Sequence, residues 1–508
     1  MWTLDEVLTT AARKYGAREA LVTATRRVTF SELDAAVTRV AAHLQGCGVG
    51  PGDKVAVLGR NTVSWVVGFL ATLRLGGITV PLNHKLAPPE LAFILGHSES
   101  RLLLADKDLA AGVPESSREK CRVLHLGGED TLDGLTLFGE GASTPPARGP
   151  FKAPVPDDVA EILYTSGTTG LPKGCLHSHA NVLFAGIGSS LAYGLDSTDR
   201  VLLAMPVWHS FPLNNLLLGS LYVGATVVLM PEYHPLGMLE TIQRERCTLF
   251  FGAPVAFLMP MRVVPDFDRY DLSSVRTFLY GGGPIDADTS RLLAKRYRTE
   301  RFFQIFGMTE TGPTGTLLRP EEQVSKAGSI GRYAVSGCDV KVMRDTETEA
   351  KPGEVGEIWM RCQSMMRGYH RDSEATAAAF HDGWYRTGDV ARIDADGYLF
   401  IVDRLKDMII TGGENVYSKE VEDALASHPA LAESAVIGIP HPDWGETVAA
   451  ILILKPGATF DEASFRTHCE ARLAKYKAPR IFHVAESLPR TPTGKVIKVE
   501  LRKKYARA

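Results

Sequence analysis

The sequence predicts an α/β protein with a large N-terminal domain of doubly wound sheets plus a β-barrel-like part (residues 1–403) and a small α+β C-terminal domain (residues 404–508). Three observations carry this expectation. Short apolar, β-branched runs alternate with helical patterns as far as Pro284, the signature of parallel strands joined by helices. After about residue 355, Gly and Asp turns separate short strands, which reads as antiparallel hairpins. Beyond Arg404 compact mixed units resume, and a chain of 508 residues exceeds what one hydrophobic core usually supports.

In order along the chain, Ser31 is the predicted N-cap of a helix whose apolar positions are Leu33, Val37, Val40, Ala41 and Leu44, ended by Gly46. VAVL (55–58) is a strand, 63–75 a helix and ITVP (78–81) a strand; TLFF (248–251) and RTFLYGGGP (276–284) repeat the rhythm. The stretch 201–231 has no Asp, Glu, Lys or Arg, which raises a membrane span, but Pro206, Pro212, Asn214, Asn215, Gly219 and Gly224 interrupt it. Strand 201–204, helix 213–221 and strand 226–230 account for every break, so no transmembrane segment is expected. DGWYRTGDVARIDADGYLFIVDR gives the hairpins, followed by SAVIGIP, VAAILIL and a helix over 461–473.

Net charge of -3 with 45% hydrophobic and 23% charged residues is ordinary for a globular protein and offers nothing to nucleic acid. Seven scattered cysteines without metal or CxxC spacing point to a reducing, cytoplasmic setting, and the N-terminus has no signal-peptide pattern.

The segment YTSGTTGLPKG (164–174) follows an apolar run. Its small residues can turn several backbone N–H groups into one concavity, and Thr165, Ser166, Gly167, Thr168 and Thr169 with Lys173 suit phosphate oxygens. A polar surface loop would have the same composition. The segment is not a Walker A loop, because the second Gly and the Lys do not fall at that spacing.

Together with SHANV (178–182), MPVWHSF (205–211), YGGGP (280–284), FGMTET (306–311), WYRTGD (384–389), DRLKDMIITGGENVY (403–417), HPDWGE (441–446) and PRTPTGK (489–495), this segment resembles the signature of the adenylate-forming superfamily. Within it the nearest likeness is to fatty-acyl and aryl-CoA ligases. The resemblance implies a two-step enzyme: a carboxylic acid reacts with ATP to give acyl-AMP and pyrophosphate, and CoA then displaces AMP. It also implies a mobile C-terminal domain.

By the same resemblance, residues 165–173 hold the departing phosphates, Glu310 binds Mg²⁺, and Thr309 contacts the α-phosphate. Gly281, Gly282 and Gly283 admit the adenine, Phe306 stacks on it, and Asp389 and Arg404 take the ribose. Lys495 meets the carboxylate and α-phosphate in the adenylation transition state. Gly412 and Gly413 line a pantetheine tunnel, Trp444 lies near CoA, and Lys406 marks the hinge. His209 gates the acid pocket. Read without the motifs, Glu310 is equally a helix-cap residue, Lys495 a solvated lysine and His209 a core histidine. The expected partners are a small-molecule medium- or long-chain fatty or aryl acid, ATP and CoA, with a carrier protein as the alternative acceptor and a homodimer as the assembly allowed for.

Overall fold

The computed structural model describes residues 2–127, 151–165, 172–411, 414–490 and 496–506. Contacts cluster the chain into two compact units, residues 1–340 with 360–385 and residues 341–359 with 386–508. The second unit therefore takes in antiparallel strands ahead of residue 404 as well as the chain after it.

The first unit contains an eight-stranded sheet ordered Gly315–Leu318, Phe302–Gly307, Thr277–Gly281, Leu249–Gly252, Arg200–Leu203, Thr226–Leu229, Glu19–Val22, Arg27–Thr29. Its six central strands run parallel and its two edge strands antiparallel. A seven-stranded sheet is ordered Gly368–Tyr369, Lys173–Ser178, Val159–Thr165, Ile78–Leu82, Lys54–Leu58, Leu102–Asp106, Arg122–Leu126. Apolar residues from both sheets and from helices Leu4–Tyr15, Phe30–Gly46, Val63–Arg74 and His179–Tyr193 form one core. Val63–Arg74 is buried along its whole length, with Trp65 and Phe69 stacked 5.3 Å apart. That burial explains why its sequence is apolar all round rather than striped.

The predicted cap at Ser31 is corrected: Thr29 caps this helix through a reciprocal box with Glu32, and Ser31 lies in the first turn. The charge-free stretch resolves as strand Arg200–Leu203, a wide-turn π-helix Phe211–Leu218, helix Gly219–Val223 and strand Thr226–Leu229. Among the described residues no helix is long and apolar enough to cross a membrane.

The β-barrel-like part is a five-stranded sheet built from Cys338–Met343, Val355–Cys362, Trp384–Ile393, Phe380–His381 and Leu399–Arg404. In the second unit a further five-stranded sheet (Glu414–Val416, Ile409–Thr411, Gly445–Leu454, Leu431–His441, Ile481–Val484) packs against helices Ser418–Ala426 and Glu462–Glu470 on one apolar cluster. Helix Lys498–Tyr505 closes a second cluster through Leu501 and Tyr505.

Candidate active site

Three of the sequence-predicted segments leave the C-terminal ends of parallel strands in the eight-stranded sheet, where open α/β sheets place their ligand crevice. Arg200–Leu203 leads to His209, Thr277–Gly281 to Gly282 and Gly283, and Phe302–Gly307 to Thr309 and Glu310. The buried Asn61 fixes the first segment: its side-chain amide donates to the carbonyls of Leu203, Met205 and Met230 and accepts from Val207 N–H at 2.9 Å. His209 itself is exposed at the end of that segment, and Ser210 Oγ lies 3.1 Å from Thr309 Oγ1.

Gly281 pairs with Ile305 across the parallel register, and a Cβ there would stand 2.9 Å from the Ile305 side chain. Gly282 has φ +83° and open space around it, so the backbone is presented bare. Phe306, half-buried on the neighbouring strand, follows Ile305. The glycines and the aromatic ring thus lie at the C-terminal ends of two adjacent parallel strands.

The second half of the site is a hairpin from the other sheet. Val159–Thr165 pairs antiparallel with Lys173–Ser178, setting Thr165 opposite Lys173, and Thr165 Oγ1 donates to Lys173 O at 3.4 Å. The short strand Gly368–Tyr369 adds on the far side and puts Tyr369 opposite Cys175. Tyr369 then ties three groups together. Its hydroxyl donates to Glu310 Oε1 at 3.2 Å, lies 3.4 Å from the Tyr385 hydroxyl, and its ring sits 5.0 Å from Lys173 Nζ. Burial, then the Glu310 carboxylate, pushes the Tyr369 hydroxyl well above the ordinary phenol range, so it stays a donor. Burial does the same to Tyr385.

Glu310 belongs to the turn Thr309–Thr311, held where Met308 N–H donates to Thr311 Oγ1 at 3.2 Å and Met366 N–H donates to Glu310 O at 2.9 Å. Gly312 closes this turn at φ +79°, and a Cβ there would be 2.2 Å from Ser364 O. The oxygen donors fit a hard cation. Among the described residues no group of three or more His, Cys, Asp or Glu side chains could hold a metal, so Mg²⁺ here would draw most of its ligands from phosphate and water.

In the second unit Asp389 and Arg404 face each other in the antiparallel register and form an ion pair at 2.8 Å. The Asp389 side chain is 5% exposed, and its N–H donates to Thr387 Oγ1. Lys406, two residues on, has its ammonium pKa lowered by burial. Trp444 occupies the turn between Leu431–His441 and Gly445–Leu454, with His441 stacked at 4.3 Å and the Arg480 guanidinium 3.5 Å from its ring centroid. Thr411 pairs with Gly445, so the end of the strand Ile409–Thr411 adjoins the Trp444 turn.

Ser166, Gly167, Thr168, Thr169, Gly412, Gly413 and Lys495 lie outside the described residues. Sequence reasoning missed Tyr369, Tyr385, Ser210 and two buried titratable groups. Glu161, wholly buried, accepts from Asn214 Nδ2 at 2.7 Å and is pushed to about 8 by burial. His177, also buried, faces the backbone of Thr309 and Ser364 and is lowered to about 4, hence neutral. The alternation in Leu-His-Ser-His (176–179) was a usable signal for His177; nothing local marks Tyr369, which depends on strand register.

The chain matches the family model described as "AMP-binding enzyme" over residues 8–370, and "AMP-binding enzyme C-terminal domain" over 420–495. It is 37% identical over 481 residues to a feruloyl-CoA synthase of Amycolatopsis sp, covering 94% of each chain. It is 36% identical to the long-chain-fatty-acid–CoA ligase FadD13 of Mycobacterium tuberculosis, over 94% of this chain and 93% of that one. Among solved structures, the o-succinylbenzoate CoA synthetase of Bacillus subtilis bound to its acyl-adenylate aligns with TM-score 0.86 at 33% identity, covering 98% of this chain and 97% of that chain.

Proposed function

From its membership in the AMP-binding, adenylate-forming enzyme family we infer that this chain is an acyl-CoA synthetase, an acid–thiol ligase that makes acyl-AMP and pyrophosphate and then the CoA thioester. The observation that carries the assignment to its own residues is the Glu310–Tyr369–Lys173 cluster, together with the open Gly282 backbone in the Gly281–Gly283 segment.

Phosphoryl chemistry of this kind is mostly positioning and charge neutralisation. Lys173 brings a point charge to the β- and γ-phosphates beside Thr165 and residues 166–169. Thr309, hydrogen-bonded to Ser210, takes the α-phosphate, and Glu310 holds Mg²⁺, which neutralises phosphate oxygens when bound. Gly281, Gly282 and Gly283 admit the adenine against Phe306. Asp389 and Arg404 take the ribose, Lys495 stabilises the adenylation transition state, and Gly412, Gly413 and Trp444 serve CoA. Domains 1–403 and 404–508 divide these roles, with Lys406 as the hinge residue.

His209 gates an acid pocket whose wall includes Phe211 and Phe251, with ring centroids 4.4 Å apart. The apolar wall supports a medium- or long-chain fatty acid or an aryl acid. Seven free cysteines support a cytoplasmic setting.

The test is pyrophosphate release with ATP and Mg²⁺ over fatty, aryl, amino and dicarboxylic acids, each with and without CoA, beside Lys495→Ala. Acid-dependent release that turns over with CoA and collapses in the variant is expected. Release that turns over only with an acyl carrier protein would move the acceptor from CoA to that protein.

A further inference from the structure

Two cysteines that the proposed reaction does not use face each other just behind the Thr309–Thr311 turn. Cys338 opens the strand Cys338–Met343 and Cys362 closes Val355–Cys362. Gln363 N–H donates to Gly337 O at 2.9 Å, and Arg361 reaches Asp339 at 3.4 Å. This register sets Cys338 directly across from Cys362 on the neighbouring strand. Facing cross-strand residues hold their Cβ atoms about 4.5–5.5 Å apart, closer at non-hydrogen-bonded positions, which a small strand adjustment brings into disulfide range. Both are free thiols.

The pair is asymmetric. Cys362 is buried, whereas Cys338 is half-buried and borders a cleft of about 110 Å³ walled by Phe184, Ile187, Leu191 and Ser336. The facing Cys362 thiol, aided by the hydroxyls of Thr314 and Ser364, holds the Cys338 thiol below its ordinary value, while the same neighbour and burial raise Cys362. Burial raises Cys47, Cys121, Cys175, Cys247 and Cys469. Cys338 is the one cysteine whose thiol is lowered rather than raised, and it is only half-buried beside that cleft.

The pair also touches the candidate site. Cys338 Sγ donates to Thr314 Oγ1 at 3.0 Å; the Thr314 and Ser364 hydroxyls lie against each other, and each is within hydrogen-bonding distance of Thr311 O, at 3.0 and 2.6 Å. Thr311 ends the turn that carries Thr309 and Glu310.

We propose that Cys338 and Cys362 form a reversible, peroxide-driven disulfide whose closure loosens the Thr311–Thr314 support of the turn bearing Glu310. The Cys338 thiolate attacks hydrogen peroxide: an S–O bond forms, the O–O bond breaks, and hydroxide leaves to be protonated to water. The Cys362 sulfur then attacks the sulfenic sulfur; S–S forms, S–O breaks, and the thiol proton departs with the second water. Two thiols are oxidised and one peroxide is reduced to two waters. The closed bond draws the sulfurs to about 2.05 Å and removes both S–H groups, so Thr314 Oγ1 loses the donor it has in Cys338.

The experiment treats the full chain with hydrogen peroxide, alkylates the remaining thiols and maps cross-linked peptides by mass spectrometry. A Cys338–Cys362 link that dithiothreitol reverses is expected. Cys362→Ser should leave a dimedone-reactive sulfenic acid at Cys338, and Cys338→Ser should leave Cys362 unmodified. No link, or oxidation at Cys338 no faster than at half-buried Cys47, overturns the site.

The coupling to activity rests on the synthetase reading. Peroxide should slow pyrophosphate release at least about fivefold, reversibly, in the native chain and not in Cys338→Ser. A link without slowing overturns the coupling alone. Absence of release before oxidation with every acid tested counts against the synthetase reading, and the peptide map still decides the disulfide.

Discussion

The two units treat their charged site residues differently. In the first, Lys173 and Glu310 meet the uncharged Tyr369, one through its ring and the other through its hydroxyl. In the second, Asp389 and Arg404 meet each other as an ion pair. Neutral partners orient a charge without spending it, so the contacts to Tyr369 place Lys173 and Glu310 without neutralising either. A ligand reaching Asp389 must share it with Arg404. The first arrangement suits transition-state charge, and the second suits ribose hydroxyls, which carry none.

The sharpest way to break this contrast is Glu310→Gln, which keeps the shape and the Tyr369 contact and removes the charge. It should lower kcat/KM for acyl-AMP formation by about a thousandfold, roughly 4 kcal/mol of transition-state stabilisation. A loss equally large from Asp389→Asn would erase the distinction. Asp389→Asn should instead act on ATP affinity, raising KM for ATP about 10–100-fold with a smaller change in kcat, as steady-state kinetics in varied ATP would read.

Tyr369→Phe separates the two jobs of one side chain. It keeps the ring under Lys173 and deletes the hydrogen bond to Glu310, and should cost about tenfold, with Tyr369→Leu costing several times more because the cation–π contact goes too. Equal losses in the two variants would assign the whole effect to the hydroxyl.

Glu161→Gln should leave the rate nearly untouched and change stability. The folded carboxyl sits at about 8 against an ordinary 4.5, so the folded form binds more protons than the unfolded chain between those values. Native stability therefore falls as pH rises from 4.5 through 8, and Gln, which still accepts from Asn214, removes that slope. The variant should gain up to about 3 kcal/mol at neutral pH, read from denaturant unfolding across pH. A flat native profile would contradict a neutral Glu161.

Much of the fold was legible because its strands are buried on both faces and its helix ends carry strong signals. Val63–Arg74 and the flanking strands came directly from apolar runs. The cap at Thr29 was missed by two residues because Ser31 and Thr29 are both good caps, and only the reciprocal Glu32 bond chooses between them. The site divides along the same line. Thr309, Glu310, Asp389, Arg404 and the glycine edge lie in contiguous motifs. Tyr369 and Tyr385 act through pairing between strands far apart in sequence, and Glu161 acts through burial that no local pattern encodes, whereas His177 lay in a readable alternation.

The most direct test of the central claim is the Mg²⁺ dependence of acid-driven pyrophosphate release in the native chain beside Glu310→Gln. The cluster predicts that the variant needs about tenfold or more Mg²⁺ for half-maximal rate while its KM for the acid stays the same. Superimposable Mg²⁺ curves would contradict a metal role for Glu310 and, with it, the reading of the Glu310–Tyr369–Lys173 cluster as the phosphate and metal side of the site.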